Sequence, residues 1–400
     1  MFSLPAMAVA VEETAPEVWG GYKGFTLGDW NFSMDALVQF NTYYTNNGEN
    51  YPAGTGYDDT DLTADVGNET SVRFLGKNDS YQFMLDFRNQ TGFRSNLQAL
   101  WGKWMFDGGY FFVGRTDPLT WDAMLLPPPL KSDVGQMIGY PSCWHMRLGL
   151  DVGEASRVTF AVLAPDNYNS DWLIDLGAQT GHTFADVDTE LPAIEVRYDV
   201  PIGPVHVGFV GGYTGYDLVD TDDDSYSVDS GMLGVSARYF NGPLSLHGTF
   251  FFDRNEYGHG GDPRQKGVNF TALGSGQFFG GPVYDAASDS IKDSDYWGAA
   301  VSMNYFFNDK YGIMIGGSGG KVEDDMGNKD QAIGYGFLMP IKLTPNIVMV
   351  PFANYTDWLD RDPVDGPSVD EGHSLRVGIQ WNFQWNGDFF CFGPPKMTDR

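Results

Sequence analysis

Residues 375–385 read LRVGIQWNFQW and alternate between apolar and polar side chains without a break. A repeat of two residues is the period of a β-strand, whose successive side chains point to opposite faces. Most strands of water-soluble proteins have about five or six residues, whereas a tilted strand that crosses a lipid bilayer needs about 9–11. The stretch therefore predicts a strand with one apolar and one polar face that is long enough to cross a membrane.

The same alternation recurs along the chain, starting with the run from Trp30 to Phe40. Short turn signals separate such runs at 77–80, 107–109, 153–155, 201–203, 241–242, 308–309 and 344–345. Longer polar segments join them elsewhere, at 45–69, 89–96, 116–144, 164–190, 214–230, 254–294, 318–330 and 356–372. Seven turns and eight loops predict about 16 antiparallel strands, an even number as in single-chain bacterial barrels.

The composition also favours an all-β protein, because 15% of the 400 residues are aromatic, 51 are glycine and only 19% are charged. The 53 acidic and 24 basic residues give a net charge of −29, which argues against a nucleic-acid partner, since phosphate binding needs basic density. Two cysteines exclude a disulfide framework and a structural zinc site. No stretch approaches the roughly 20 apolar residues of a membrane-spanning helix.

The chain is predicted to fall into four segments. Residues 1–10 carry small residues at the spacing of a signal-peptide cleavage site, and we interpret them as the end of a secretory signal; a floppy apolar N-terminus is the alternative. A periplasmic segment is expected at 11–29, the barrel at 30–385 and a periplasmic tail at 386–400. Cys143 and Cys391 are then expected on opposite sides of the membrane, too far apart for a disulfide unless the tail threads inward.

Aromatic residues collect next to the short turns, as they do at a membrane interface. The predicted girdle consists of Trp30, Tyr81, Phe106, Tyr110, Phe240, Phe307, Tyr311 and Trp385. A soluble β-sandwich gives no reason for this clustering. We therefore predict a transmembrane antiparallel β-barrel of about 16 strands, with short turns in the periplasm and long loops outside the cell.

Two local features give a resemblance to a known family. Residues 376–383 (RVGIQWNF) are similar to the terminal-strand signal of outer-membrane proteins, and the long segment after Arg115 looks like a porin third loop. The chain thus resembles the 16-stranded homotrimeric general porins, including the type found in sulfate-reducing deltaproteobacteria. The resemblance implies a bacterial outer-membrane location and a passive channel for small hydrophilic solutes. It also implies a homotrimer, a third loop that constricts the pore, and contacts with outer-membrane lipid, lipopolysaccharide and the assembly machinery. One departure is that residues 386–400 continue past the last strand.

Side-chain parity places a set of basic residues in the lumen. Arg73, Arg88, Arg115 and Arg147 are interpreted as a basic ladder along one wall, with Lys103 on the same face; the alternative is that they are solvated residues spread around the ring. The porins that the chain resembles place carboxylates opposite such a ladder, on the third loop. The candidates here are Asp117, Asp122 and Asp133, with Lys131 among them, unless this segment is an ordinary external loop.

The external loops are rich in aspartate, and an acidic mouth attracts cations, so mild cation selectivity is expected. Asp220, Asp222 and Asp224 have the spacing of the first calcium ligands of an EF-hand, but the glycine and glutamate expected later are replaced by Ser225 and Gly231. They are weak calcium candidates, and a solvated acidic loop is the preferred interpretation. No other cofactor or metal is expected.

Three alternative functions stay open. A substrate-specific channel for sugars or organic acids would need a line of lumen aromatics, and Tyr43, Phe111, Phe251 and Tyr296 are too scattered to form one. An enzyme would need clustered catalytic residues; the GxSxG pattern at 316–320 is followed by acidic, glycine-broken sequence instead of the required helix, so we predict no enzyme activity. A structural or adhesion barrel would have a plugged lumen.

Overall fold

A computed structural model describes residues 24–47, 61–66, 70–90, 94–120, 143–153, 155–164, 182–189, 192–255, 282–359, 362–364, 366–368 and 372–385. Most of these residues lie in strands. Their bounds are β1 Gly24–Leu27, β2 Trp30–Asn47, β3 Asp61–Val66, β4 Ser71–Lys77, β5 Tyr81–Gln90, β6 Arg94–Phe106, β7 Gly109–Thr116, β8 Cys143–Val152, β9 Ser156–Leu163, β10 Phe184–Thr189, β11 Ala193–Ile202, β12 Val205–Asp220, β13 Ser225–Asn241, β14 Leu244–Arg254, β15 Val283–Asp285, β16 Ser290–Lys292, β17 Ser294–Phe306, β18 Gly312–Asp324, β19 Lys329–Leu338, β20 Ile341–Thr344, β21 Ile347–Trp358 and β22 His373–Trp385. Over the part of the chain just given, no helix has the length and apolarity needed to cross a membrane.

The strands form one closed antiparallel barrel with 16 strand positions around its circumference, as the sequence predicts. Each position, called a stave here, holds one long strand or two shorter strands in succession. Three staves are interrupted, because β3 and β4 pair with successive parts of β2, β10 and β11 with β12, and β19 and β20 with β21. Closure comes from β2 and β22, which pair from Ala36 opposite Trp385 to Asn47 opposite Ser374. The small hairpin β15–β16 forms a separate sheet.

All seven predicted short turns join neighbouring strands, and they define one end of the barrel, called here the turn end. The opposite end is called the loop end. Two segments predicted to be long loops, 214–230 and 318–330, are largely strand instead. β12 and β13 pair up to Val219 opposite Ser225, and a short turn likewise joins β18 to β19. The extension of β12 and β13 into the predicted loop was missed because Leu218 and Val228, both buried, alternate with polar residues that suggested a loop.

Alternation gives the barrel an apolar outside and a polar inside. The outward side chains of β17 include Trp297, Val301 and Tyr305, all exposed, while Ser302 and Asn304 between them are buried. The same pattern covers β2, β8 and β22, whose outward residues include Met34, Val38, Phe40, Trp144, Met146, Leu148, Val377, Ile379 and Phe383. A surface of exposed apolar side chains around a polar interior suits a barrel surrounded by lipid.

The side chains of β7 face the opposite way from the sequence prediction. Tyr110, expected in the aromatic girdle, is buried on the inner face, whereas Phe111, expected in the lumen, is exposed on the outer face. Arg115 lies opposite Leu100 and Trp144, both outward and exposed, so its predicted lumen position was wrong. A one-residue shift in parity reverses every side chain of a strand, and this error accounts for all three differences.

The rest of the predicted girdle is mixed. Tyr81, Phe307 and Tyr311 are exposed near the turn end, as expected. Phe240 lies opposite the buried Ser245 and packs edge-on against His206 and His247, so it belongs to the inner face.

The sheet begins before residue 30, the predicted start of the barrel. β1, which falls in the expected periplasmic segment 11–29, pairs with the first residues of β2, from Leu27 opposite Trp30 to Gly24 opposite Ser33. The predicted signal residues 1–10 and the tail 386–400 lie outside the described residues.

Replacing Gly378 with alanine should weaken barrel closure. Gly378 lies opposite Tyr43 in the β2–β22 pair, and a Cβ there would come within 2.4 Å of the Thr42 carbonyl oxygen and 2.7 Å of the Tyr43 Cα. Because both are backbone atoms, the strands must separate, and we expect a loss of about 1–3 kcal/mol in the free energy of unfolding in detergent.

The matched control is Gly248→Ala in β14, where the nearest atoms lie 4.0 Å from an added Cβ. It should unfold at the denaturant concentration of the unmodified protein. Equal stability of the two variants would contradict the assigned closure register.

Candidate functional site: the barrel interior

Arg73 and Arg88, two members of the predicted basic ladder, project from β4 and β5 onto the inner wall. Arg73 Nη2 lies 3.2 Å from Asp35 Oδ2, and Arg88 Nε lies 3.0 Å from Asp86 Oδ2. Arg73 is directly opposite both Asp35 and Asp86, whose side chains are 0% and 1% exposed. This part of the wall is therefore a lattice of alternating charges and not a row of arginines only.

Lys103 and Arg147, two further predicted residues, lie in one row on either side of Phe112. Lys103 Nζ is 4.2 Å from the ring centroid of Tyr110, and the Arg157 guanidinium is 5.3 Å from the same ring. The Arg147 guanidinium is 5.1 Å from the Phe112 ring. Cations over aromatic faces are attracted by the ring quadrupole. Lys103, Arg147, Arg157, Tyr110 and Phe112 form what we call the basic–aromatic patch.

The sequence did not identify the aromatic half of this patch, because β7 was given the wrong parity. Phe111, Phe112 and Val113 are all apolar, so alternation is absent where it was needed. The residues that reveal the parity of β7 lie on the neighbouring strands. Lys103 and Arg147 both lie opposite Phe112, so Phe112 shares the inner face with these two basic side chains.

The chain that leaves β7 turns into the barrel. Asp117, a predicted third-loop residue, accepts a hydrogen bond from Arg147 through its backbone carbonyl. The Leu119 N–H donates to Glu195 Oε2 at 2.7 Å, and the Thr120 hydroxyl donates to Glu195 Oε1 at 2.6 Å. Asp122, Lys131 and Asp133 lie outside the described residues. The start of the third loop is therefore fixed to the inner wall.

Glu195 is the residue that holds the loop, and sequence reasoning missed it. It lies on β11 between the exposed, outward Ile194 and Val196, and its own side chain is 0% exposed. A carboxylate between two apolar residues of a strand was the available signal. A buried charge needs hydrogen-bond donors, and the two from the third loop supply them.

The exposed fraction of the inward side chains differs from one side of the barrel to the other. On the side of β8, β9 and β11, the side chains of Asp151, Arg157 and Asp199 are 41%, 35% and 40% exposed. Two ion pairs lie here, Arg157–Asp151 at 2.6 Å and Arg197–Asp199 at 2.8 Å. On the side of β2, β21 and β22, the inward Gln39, Asn382 and Val350 are 0% exposed. The most exposed of these charges, Asp151, Arg157 and Asp199, thus lie within two residues of the turns at 153–155 and 201–203, at the turn end.

The Asp220, Asp222 and Asp224 run forms a turn at the loop end. Asp220 Oδ1 accepts the N–H groups of Asp222 and Asp224 at 2.8 and 2.9 Å, and Asp220 Oδ2 lies 3.1 Å from His182 Nε2. Burial acts against ionisation, but these donors still lower the pKa of Asp220. The carboxylate is thus engaged by the turn and the histidine. Within the ranges that the structure covers, no group of three or more His, Cys, Asp or Glu side chains is placed to hold a metal ion.

Two further groups from the sequence analysis are the cysteines and the candidate lumen aromatics. Cys143 is buried at the start of β8 with its Sγ 3.6 Å from His145 Nδ1, and Cys391 lies outside the described residues. Phe251 packs with Tyr296 at a centroid distance of 5.3 Å, and Tyr43 packs with Phe352 at 6.5 Å. These rings form two separate pairs and do not make a continuous line.

Replacing Glu195 with alanine should release the third loop from the wall. The change leaves the Leu119 N–H without this acceptor in a buried place, and we expect a loss of about 1–3 kcal/mol in the free energy of unfolding. Asp151→Ala on β8 is the control, because both members of its pair with Arg157 are at least 35% exposed and such a pair contributes about 0–1 kcal/mol. Chemical denaturation in detergent measures both, and an equal loss in the two variants would count against the anchor.

Comparison with known proteins finds no matching family model and no matching curated protein. Solved structures do match. The outer membrane channel DcaP of Acinetobacter baumannii has a TM-score of 0.63 and 14% identity, over 90% of this chain and 99% of that one. OmpT, an outer membrane protein of Vibrio cholerae, has a TM-score of 0.58 and 12% identity, over 91% and 100%.

An anion-selective porin from Comamonas acidovorans has a TM-score of 0.56 and 10% identity, over 89% of this chain and 100% of that one. At these identities the likeness is one of fold. Together with the closed barrel and its polar interior, it shows that the chain has the 16-stranded fold of bacterial outer-membrane porins.

Proposed function

We propose that the protein is an outer-membrane channel for passive diffusion of small hydrophilic solutes and ions, and that it is not an enzyme. The observation that carries the proposal is that three inward charged side chains, Asp151, Arg157 and Asp199, are 35–41% exposed inside a barrel with an apolar outer wall. Charges in contact with water inside such a wall provide a polar path through a layer that excludes polar solutes.

The third loop supports the same function. Its start, from Asp117 to Thr120, bends inward and is held by Glu195 and Arg147. A loop in the lumen sets the width of the path. We propose that the loop narrows the channel together with the lattice of Arg73, Arg88 and their aspartates.

Liposome swelling tests this function. Vesicles that contain the folded protein should swell in isotonic solutions of small sugars, at rates that fall as the sugar becomes larger. Vesicles with the same amount of heat-denatured protein are the control. Equal rates in both kinds of vesicle would refute diffusion through the barrel.

We further propose mild cation selectivity. The lumen residues Arg157 and Arg197 are paired with Asp151 and Asp199, whereas the chain as a whole carries a net charge of −29. Asp222, Asp223 and Asp224 are exposed at the loop end. An acidic entrance raises the local concentration of cations.

The triple change Asp222→Asn, Asp223→Asn and Asp224→Asn should move the zero-current potential in a potassium chloride gradient towards that of an unselective pore. Asp229→Asn is the control, because Asp229 is exposed on the outer face of β13, beside Tyr213. High salt should reduce the difference, since screening acts over about 10 Å at 0.1 M. A triple variant with an unchanged potential would contradict the proposed origin of selectivity.

The organisation in the cell follows from the same proposal. The protein would lie in the bacterial outer membrane as a homotrimer, in contact with lipid and lipopolysaccharide after insertion by the assembly machinery. Two observations support this assignment: the exposed apolar outer wall, and a fold neighbour, OmpT of Vibrio cholerae, that has been solved in a trimer form.

The basic–aromatic patch favours a second candidate, a channel specific for organic acids. Lys103 and Arg157 lie on either side of the Tyr110 ring, where a carboxylate with an apolar body would meet both charge and ring. Benzoate should then block the current at concentrations where chloride does not, and Lys103→Gln should weaken the block. A general diffusion channel shows no such block.

A further inference from the structure

The hairpin β15–β16 lies in the segment between β14 and β17 and is not part of the barrel. Its Tyr284 and Ile291 pack against a buried cluster of Phe184, Tyr216, Leu218 and Val228. Tyr216 and Leu218 lie on the same face of β12 as Val210, because β12 and β13 pair without a shift from Val205 to Val219. Val210 in turn lies opposite the lumen residue Arg197. The hairpin therefore packs on the inner side of the loop end.

A polar junction fixes the hairpin in this place. Asp289, in the hairpin turn, accepts hydrogen bonds from Tyr284 at 2.6 Å and from Tyr226 of β13 at 3.0 Å. The His182 ring stacks on Tyr284 at a centroid distance of 4.1 Å, and its Nε2 lies 3.1 Å from Asp220 Oδ2. The junction joins three segments that are distant in sequence: the residues before β10, the β12–β13 hairpin, and β15–β16.

The charges in the junction favour the packed position over a wide pH range. The bonds from Tyr284 and Tyr226 hold the pKa of Asp289 below its usual range, and the bond to Asp289 raises the pKa of Tyr284. Asp289 is thus an ionised acceptor at neutral and mildly acidic pH, with both phenols protonated. A hydrogen bond to an ionised acceptor is stronger than one between neutral groups.

We propose that hairpin β15–β16 is a lid that narrows the entrance at the loop end and sets the upper size of the solutes admitted, with His182, Tyr226 and Asp289 as its anchor. The proposal rests on the proposed channel function. Among the described residues, Tyr226 of β13 bonds to Asp289 of the lid, and Tyr284 and Ile291 add apolar contacts. None of these contacts belongs to the barrel's strand pairing, so the lid can be loosened while the barrel stays closed.

The test uses liposome swelling with a series of sugars and oligosaccharides. Asp289→Asn and His182→Ala should each raise the rate for large sugars relative to a monosaccharide by about twofold or more, because each removes a charge-assisted contact. Asp285→Asn is the matched control: Asp285 lies on the same hairpin, but it bonds to Ser288 and Ala287 of that hairpin and should leave the ratio unchanged.

The outcomes separate the lid from the channel. Normal monosaccharide rates with the same size limit in all three variants would overturn the lid and leave the channel intact. Loss of monosaccharide permeation in the folded, unmodified protein would overturn the channel itself. Retention of the folded band on unheated gels shows that a variant is folded, and Tyr226→Phe, which removes one hydroxyl only, repeats the test if His182→Ala does not fold.

Discussion

The pairing of β2 with β22 is the constraint on which the rest of the structure depends. In hydrocarbon, an unpaired backbone N–H or C=O has no water to bind, so a sheet can cross a membrane only if its first and last strands meet. Here they meet over a register that runs from Ala36–Trp385 to Asn47–Ser374. Because one register fixes the parity of both strands, closure also decides which side chains face outward around the ring.

Once the inward and outward side chains of each strand are fixed, the carboxylates that point into the barrel need ionic or hydrogen-bond partners. Asp35 and Asp86 are covered by Arg73 and Arg88, and Glu195 receives the start of the third loop. The Arg73–Asp35 pair joins β4 to β2, the Arg88–Asp86 pair lies within β5, and Glu195 joins β11 to the third loop. The same groups thus stabilise the wall and shape the electrostatic field along the path.

The sequence predicted the architecture because period-two alternation and turn signals are local. These two signals gave the number of staves and the seven turns. They also gave the lumen positions of four basic residues, Arg73, Arg88, Lys103 and Arg147. Prediction failed at Phe111–Phe112–Val113, where three apolar residues carry no alternation and the error moved Arg115 to the wrong face. Prediction also missed the contacts of Asp35, Glu195 and His182. These contacts depend on which strands become neighbours, and local patterns in the sequence do not show that.

The central claim is that the closed barrel encloses a continuous water-filled path, and single-channel recording tests it most directly. Purified, folded protein added to a planar lipid bilayer should give discrete conductance steps of uniform size that persist over many seconds. Folded protein that inserts into the bilayer and gives no steps would contradict the account, because a closed barrel without conductance is a plugged one.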